Sequence, residues 1–531
     1  MSAKATGKVS AAVMASRVLG LAREMMFAAL FGGSRWMDCF NLAFRVPNLL
    51  RDLFAEGALS QAFVTTFSKK LKSEGEESAW LLANKMMTLA AVFMSGVTLL
   101  GILTAPWMVD ILTALARSGA TRRNYNLDEV ALTVTMVRVM YPFILLVSLA
   151  ALVMGMLNAR NIFGMPALAS CFFNIGSMLG GAAIGYWLDP AWGPRSLIGF
   201  SIGVVIGGLA QLTCQFPALR RAGYRFSSNF HWRDPGVRQI LHLMAPAVIA
   251  ASVVQINVVV NSMFAYSVCE GAVSWLSFAF RLMQLPIGVF GVAVATVTLP
   301  ALSRASIGGI SPDFKPTLTK GLRLVAFLVL PSTLGLIVLA EPIVSLLYER
   351  GRFDAHGRIQ TAIALRAYGY GLLFYAWLKV LQPAFYAIDK RWFPMAVSLF
   401  ALGVNLGCNY LFVMKFHWGH QSLALTTSIT ACLNFLILFA MMRRFTGGLD
   451  TANLLGMLAK LLLAGAVLAA VCLAANTFLL HDPGRLPLLL RGGWLALTVG
   501  VAAAAYFLTA KLLRVPEADE ALAMLLRKLR R

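Results

Sequence analysis

Apolar runs of twenty or more residues recur along the whole chain, and short segments rich in charged residues, glycine and proline separate them. A helix of about 20 apolar residues crosses a hydrocarbon core of ~30 Å, so each run is long enough to span a bilayer. The pattern predicts helices near residues 9–32, 37–67, 79–109, 130–157, 165–188, 196–216, 239–268, 272–302, 322–348, 362–388, 394–414, 421–442, 453–479 and 489–511. We therefore expect an all-α polytopic membrane protein with about fourteen transmembrane helices.

The composition and the charge distribution agree with a membrane protein. Of the 531 residues, 59% are hydrophobic and only 13% are charged, which is unusual for a soluble chain. The net charge is +23, but the basic residues are spread over short loops, so we expect no nucleic-acid binding. With an even helix number the termini share a side, and the loops of that side hold 25 Lys and Arg residues against 11 on the other. The positive-inside rule then makes both termini cytoplasmic.

The first half of the chain is repeated in the second half at a nearly constant offset. The matches are residues 42–45 with 278–281 and Pro106 with Pro342 at an offset of 236, Arg138 with Arg366 and Pro166 with Pro394 at 228, and residues 174–176 with 405–407 at 231. Five matches in the same order indicate duplication of a six-helix unit. Because six is even, the copies run in the same direction and predict two pseudo-symmetric lobes.

This duplication divides the chain into four segments. They are an N-lobe of helices one to six at 1–220, a C-lobe of helices seven to twelve at 221–446, two C-terminal helices at 447–512, and a cytoplasmic tail at 513–531. The two C-terminal helices are nearly free of charge and could face lipid or hold an acyl chain. Leucines form an apolar stripe along the tail, which predicts a short amphipathic helix on the membrane surface, with a frayed tail as the alternative.

Charged residues inside the predicted membrane segments are the candidate functional groups. They lie in helices one, two and eight and are Arg17, Arg23, Glu24, Asp38, Arg45, Arg51, Asp52, Glu56 and Arg281. Each costs ~2.5 to 3.5 kcal/mol at a helix centre, so we expect them to face a cavity or a partner. One interpretation is structural: arginines reach the interface or pair with nearby acids, as Arg45 and Asp52 can.

We favour a binding role for Arg17, Arg23, Arg51 and Arg281, because these four guanidiniums outnumber the nearby acids. The planar guanidinium fork matches phosphate and diphosphate oxygens. Residues six apart on a straight helix diverge by roughly 120°, so two arginines of one helix share a cavity only if it is wide or the helix bends. Gly20 and Pro47 lie between the two pairs and are candidate bends.

Other polar groups carry weaker predictions. Asn257 with Asn261 and Asn405 with Asn409 are weak candidates for a sodium site, and interhelical hydrogen bonding is the favoured alternative. His417 and His420 lack further ligands, so a solvated loop is favoured over a metal site. We expect no cofactor. The stripe of Gly199, Gly203 and Gly207 predicts close helix packing.

Two segments carry a resemblance to a known family. Residues 16–23 (SRVLGLAR), then Asp38, and residues 47–63 (PNLLRDLFAEGALSQAF) closely resemble the opening of the lipid II flippases of the MurJ or MviN family. The likeness continues at residues 274–288 and extends over the whole chain. This family belongs to the multidrug, oligosaccharidyl-lipid and polysaccharide exporter superfamily.

The resemblance implies a non-enzymatic transporter of the bacterial inner membrane. Its arginines at positions 17, 23, 51 and 281 would bind the diphosphate of lipid II, and its last two helices would hold the polyprenyl tail. Supporting cavity residues would be Ser16, Asp38, Arg45, Asn48, Glu56 and Gln284, with Gln284 at a position where some members have Glu. Membrane lipids and cell-wall enzymes are further expected partners of a monomer.

The alternatives are another exporter of the superfamily or an enzyme. A polysaccharide-lipid flippase would also need cationic groups, whereas a drug antiporter would need buried carboxylates for a cationic substrate, and this predicted cavity has the opposite sign. A membrane-embedded transferase would need a catalytic carboxylate or metal site, for which no convincing set of residues is present.

Overall fold

The computed structural model of this chain describes residues 3–53, 59–118, 123, 126–307, 310–480 and 487–519. Within these ranges the chain consists of helices and their connections, with no β-strand. It divides into two compact units, Met1–Ser274 and Trp275–Arg531. The lobe boundary at residue 220 concerns the sequence duplication and stays a prediction.

Among the described residues, ten of the α-helices lie in the first unit and nine more end in the second. The first ten are α1 (Ala3–Phe31), α2 (Arg35–Arg51), α3 (Leu59–Ser73), α4 (Glu76–Arg117), α5 (Leu127–Met140), α6 (Pro142–Ala159), α7 (Gly164–Leu188), α8 (Ser196–Thr213), α9 (Phe216–Arg221) and α10 (Pro235–Val268). The others are α11 (Ala272–Pro286), α12 (Val292–Ala305), α13 (Phe314–Val338), α14 (Ala340–Tyr348), α15 (Ala355–Ala387), α16 (Trp392–Asn409), α17 (Gln421–Phe445), α18 (Thr451–Phe478) and α19 (Leu488–Leu512).

Each of the predicted membrane segments coincides with one helix or with consecutive helices of the structure. In the described residues, ten helical segments are long and apolar enough to cross a membrane, which confirms the all-α membrane class. The other predicted segments correspond to α1, to α2 with α3, to α10 and to α15. That these four segments cross the membrane, and therefore that fourteen helices do so in total, stays a prediction.

Two of the π-helical segments in the described residues lie near the candidate arginines, and a third, Tyr410–Lys415, follows α16. Ile287–Gly291 is a π-helical segment between α11 and α12, directly after Pro286, whose ring leaves a backbone carbonyl without its usual donor. Asp52 and Leu53 also have π-helical hydrogen bonding, directly after α2. Residue 288 lies 236 positions after Asp52, so the distortion recurs at the offset of the sequence repeat. This recurrence supports the duplication, and π-helical turns are frequent at functional sites.

The closest helix packing in the first unit is between α7 and α8, where glycines of both helices meet. A Cβ atom at Gly199 would lie 2.3 Å from the backbone nitrogen of Gly185, and one at Gly203 would lie 2.5 Å from the Cα of Gly181. These distances leave no room for a methyl group. The predicted role of the glycine stripe in close packing is confirmed.

Gly203→Ala is expected to destabilise the protein, because the new methyl group would meet backbone atoms that cannot rotate away. Overpacking of this kind costs about 1 to 3 kcal/mol, and the unfolding temperature of the purified protein in detergent measures it. Gly96→Ala is the matched control, since a Cβ there meets no atom within 4 Å and alanine favours the helix. Equal unfolding temperatures for the two variants would contradict the proposed packing.

In the second unit, α13 contacts the segment that follows α19. Arg323 on α13 binds Glu517 through two nitrogens, with Nε 2.6 Å from Oε1 and Nη2 3.1 Å from Oε2. Val515 and Ala518 are buried beside this pair. The start of the predicted tail is therefore docked against the helices of its own unit, and residues 520–531, which carry the leucine stripe, lie outside the described residues.

Candidate cationic site

Two of the candidate arginines lie on α1, which is helical without interruption through Gly20. Arg17 is half-buried and is the middle residue of this helix, about 21 Å from either end at 1.5 Å per residue. No residue within the described ranges forms a hydrogen bond or an ion pair with its guanidinium. Arg23 is 9% exposed, and its Nη2 lies 3.4 Å from Oε1 of Glu24. Arg23 is therefore paired with a carboxylate, whereas Arg17 has no ion-pair partner among the described residues.

Two residues of α7 hold this part of α1 in place. The amide nitrogen of Asn174 donates to the backbone carbonyl of Ser16 at 3.3 Å and to that of Ser170 at 3.1 Å. The guanidinium carbon of Arg23 lies 5.6 Å from the ring centroid of Phe173, within the range of a cation–π contact. The packing of α7 thus fixes the backbone beside Arg17 and the side chain of Arg23.

Arg51 is the last residue of α2, and Asp52 follows it at the π-helical turn. The Nη2 and Nε atoms of Arg51 lie 2.9 Å and 3.2 Å from Oδ1 of Asp52. The other carboxylate oxygen, Oδ2, accepts a hydrogen bond from Nε2 of Gln255 on α10 at 3.2 Å. Asp52 therefore has two donors of different kinds. No sequence pattern singles out Gln255, because it is a neutral side chain in an apolar helix.

The other candidate residues of the second predicted membrane segment are Arg45, Asn48 and Glu56. Arg45 and Asn48 are half-buried and flank Pro47, through which α2 continues. The interruption that the sequence suggested near Pro47 occurs only after Arg51. Glu56 lies outside the described residues.

Asp38, near the start of α2, is fully buried and surrounded by donors. Its Oδ2 accepts from Nη1 of Arg123 at 2.9 Å and from the backbone nitrogen of Gly271 at 2.7 Å. Its Oδ1 accepts from the backbone nitrogen of Ser274 at 2.9 Å and from the hydroxyl of Ser274 at 2.8 Å. Four donors satisfy the carboxylate, so in this conformation Asp38 anchors α2 and is closed to a ligand.

Arg123 extends this anchor to a second buried acid. Its Nη2 lies 2.6 Å from Oε2 of Glu129, which also accepts from the hydroxyl of Tyr266 at 2.8 Å. The guanidinium carbon lies 3.9 Å from the centroid of the Tyr266 ring. The network of Asp38, Arg123, Glu129 and Tyr266 therefore ties α2, the connection between α4 and α5, and the end of α10 together. Sequence analysis missed Arg123 because it lies in a loop.

In the second unit, Arg281 lies on α11, six residues before the π-helical segment Ile287–Gly291. Its side chain is half-buried, and Gln284 is exposed. Leu282 and Met283 between them are buried in the core of this unit. Arg281 is thus held on a packed helix beside a backbone distortion.

Comparison with known proteins adds a sequence relationship over nearly the whole chain. Residues 27–491 match the family model for lipid II flippase MurJ. The chain is 35% identical over 440 residues to a lipid II flippase MurJ of Burkholderia cenocepacia, covering 82% of this chain and 83% of that protein. It is also 35% identical over 475 residues to a probable lipid II flippase MurJ of Vibrio cholerae, covering 88% and 87%. The chain belongs to the MurJ family.

Solved structures agree with the MurJ fold. A lipid II flippase MurJ in an inward closed conformation is similar with a TM-score of 0.77 at 24% identity, covering 95% of this chain and 98% of that one. An inward-facing multidrug resistance MATE transporter of the MOP superfamily has a TM-score of 0.65 at 16% identity, covering 81% and 94%. These likenesses confirm the fold class.

The asparagine pairs of this MurJ chain are bonded within their own helices. Nδ2 of Asn261 donates to Oδ1 of Asn257 at 3.3 Å on α10, and Nδ2 of Asn409 donates to Oδ1 of Asn405 at 3.0 Å on α16. One carbonyl oxygen of each pair is therefore engaged. The described residues contain no group of three or more His, Cys, Asp or Glu residues able to hold a metal ion.

The two loop histidines differ from each other. His417 is exposed as expected, but the expectation of a solvated side chain is wrong for His420. Its ring is 2% exposed and lies 5.2 Å from the centroid of Trp275, and its Nε2 lies 3.0 Å from the carbonyl oxygen of Gln360. Aromatic packing within the second unit buries it.

Arg123→Gln is expected to destabilise this MurJ chain strongly, because Asp38 and Glu129 would stay buried without their shared counterion. Removing one partner of a buried ion pair costs about 3 to 5 kcal/mol, which thermal unfolding in detergent measures. Arg117→Gln is the control, since Arg117 and Asp110 form an exposed pair at 3.8 Å worth less than about 1 kcal/mol. A similar loss in both variants would show that the network does not stabilise the fold.

Proposed function

We propose that this chain carries lipid II, the undecaprenyl-diphosphate-linked precursor of peptidoglycan, from the inner to the outer leaflet of the cytoplasmic membrane. Its membership of the MurJ family over residues 27–491 is the observation that carries the proposal. A diphosphate cannot cross hydrocarbon unaided, and the protein supplies a polar route by alternating access. The cargo changes leaflet and stays chemically intact, so the protein acts as a transporter and not as an enzyme.

Arg17 is the residue best suited to bind the diphosphate. It is half-buried at the middle of α1, and within the described ranges no group forms a hydrogen bond or ion pair with it. A cationic group at this depth is costly unless a counter-charge arrives. A diphosphate provides that charge and accepts two parallel hydrogen bonds from one guanidinium. We also assign Arg23, Arg51 and Arg281 to substrate binding because they match the family motif.

Arg51 can exchange partners during binding at a small cost. Asp52 holds Arg51 through Oδ1, while Oδ2 accepts from Gln255. When Arg51 turns to a phosphate oxygen, Asp52 keeps a donor and is not left as an orphaned charge, which would be expensive in a site of low polarity. Gln255 is therefore a positioning residue for this exchange.

The same proposal includes the side of the membrane on which the termini lie, the number of copies, the partners and the energy source. The termini are cytoplasmic by the positive-inside rule. One copy suffices, because the two duplicated halves supply both lobes, and cell-wall enzymes are the expected partners in the cell. The membrane potential acts on the cationic site with ~2.3 kcal/mol per charge per 100 mV, and we propose it as the energy source because one carbonyl oxygen of each asparagine pair is already engaged.

Arg17→Ala is expected to lower the rate at which lipid II reaches the outer leaflet. Losing hydrogen bonds to a charged group costs about 1.5 to 3 kcal/mol, or roughly 10- to 150-fold. The measurement is cleavage of outer-leaflet lipid II by a membrane-impermeant enzyme in cells that depend on the variant. Arg281→Ala is expected to give a loss of the same order.

Arg195→Ala is the control for both variants, because Arg195 is exposed in the connection before α8. All three variants must insert and unfold like the parent protein. Unchanged outer-leaflet lipid II in Arg17→Ala and Arg281→Ala would remove the assignment of these arginines to the substrate.

Gln255→Leu is expected to slow transport roughly tenfold, because Asp52 then has no second donor when Arg51 leaves. Adding Asp52→Asn to Gln255→Leu is expected to restore much of the rate, since no charge remains to be stranded. A purely structural role for Gln255 predicts instead that the double variant is as slow as Gln255→Leu. The same transport assay separates the two outcomes.

A further inference from the structure

The connection between α9 and α10, residues 222–234, forms an extended strap that is fastened to α4. The amide of Asn84 donates to the carbonyl oxygen of Arg225 at 3.2 Å and accepts from the backbone nitrogen of Ser227 at 3.2 Å. The hydroxyl of Thr88, one turn further along α4, accepts from the backbone nitrogen of Asn229 at 3.1 Å. Three bonds to one helix give the strap a fixed backbone.

Both ends of the strap are fastened as well. The ring of Tyr224 is buried against Trp80, with centroids 5.4 Å apart. Nζ of Lys85 lies 2.5 Å from Oδ2 of Asp234, which also caps α10 by accepting from the backbone nitrogen of Gly236 at 2.8 Å. Burial alone would raise the pKa of Asp234, but these donors lower it below its ordinary value. The carboxylate is therefore charged and already bonded to Lys85 and to the start of α10.

Large aromatic side chains point away from this fixed backbone. Phe226 is 61% exposed, Phe230 is 55% exposed and Trp232 is 50% exposed. The strap begins directly after a helical segment able to cross a membrane, residues 196–221. Aromatic residues are enriched where membrane proteins pass from hydrocarbon to headgroups. This position explains three exposed aromatics within seven residues.

Arginines surround these aromatics. Arg220, Arg221, Arg225, Arg233 and Arg238 are all exposed, and the guanidinium of Arg233 lies 5.0 Å from the ring centroid of Trp232. Residues 220–238 contain five arginines and one acid, Asp234, and that acid is engaged with Lys85. The surface is therefore strongly cationic as well as apolar.

We propose that the strap binds anionic phospholipid headgroups of the cytoplasmic leaflet, with its aromatic rings at the level of the upper acyl chains and its arginines on the phosphates. Guanidinium and phosphate form bidentate charge-assisted pairs. A basic juxtamembrane segment attracts anionic lipid, with roughly a fivefold enrichment per arginine. This site uses other residues than the arginines assigned to lipid II and does not depend on that assignment.

Quenching of Trp232 fluorescence by brominated lipid tests the proposal. The full-length protein is placed in nanodiscs in which either the phosphatidylglycerol or the phosphatidylcholine carries bromine on its acyl chains. The difference between the parent protein and Trp232→Phe isolates the signal of Trp232 from the other tryptophans. We expect brominated phosphatidylglycerol to quench Trp232 more than brominated phosphatidylcholine does at equal content.

The arginines are tested by Arg225→Gln with Arg233→Gln, which retains Trp232. This double variant is expected to lose the preference for phosphatidylglycerol, whereas the control Arg195→Gln with Lys415→Gln, two exposed residues of the loops predicted on the other side, retains it. The proposal is overturned if neither brominated lipid quenches Trp232, if both quench it equally in the parent protein, or if the double variant keeps the preference.

Discussion

The structure depends on how charged groups are satisfied inside a helical membrane protein. Each carboxylate or guanidinium at depth must find donors or a counterion, because hydrocarbon supplies neither. Asp38 is a fully satisfied carboxylate, because it accepts four hydrogen bonds from Arg123, Gly271 and Ser274. Arg17 represents the opposite case, a cation in the middle of a helix with no hydrogen-bonding or ion-pairing group among the described residues.

These two cases distinguish a charge that stabilises the fold from a charge that we propose binds the cargo. The Asp38 network joins segments that are far apart in sequence. Separating Arg123 from Asp38 and Glu129 would leave two buried acids without a counterion, so the network is expected to be rigid. A group that must bind and release a cargo cannot be satisfied in that way. For Arg51, the proposed exchange with a phosphate is favoured because Asp52 keeps its hydrogen bond to Gln255 when Arg51 leaves.

The sequence predicted those features that depend on local composition, which are the positions of the helices and the close packing of one glycine-rich helix face. Hydropathy predicted helical structure in each apolar run because the cost of an unsatisfied backbone in lipid forces it, and ten of the described helical segments are long and apolar enough to cross a membrane. The glycine stripe of α8 was equally readable, since three glycines spaced four apart lie on one helix face. The ion-pair partners of the buried acids could not be predicted. Asp38 and Arg123 are 85 residues apart, and no local sequence pattern shows which loop arginine contacts a buried acid.

The π-helical turns show why the candidate site was only partly predictable. A proline between Arg45 and Arg51 suggested a bend there, yet α2 continues through Pro47 and the distortion begins at Asp52. The turn places the carboxylate of Asp52 against Arg51 on one side and Gln255 of α10 on the other. A carboxylate between two donors can release one while it keeps the second, and this arrangement is the basis of the proposed exchange of Arg51 between Asp52 and a phosphate. The carboxylate of Asp38 lies on a regular part of α2 and is held by four hydrogen bonds, so it cannot release one partner in the same way.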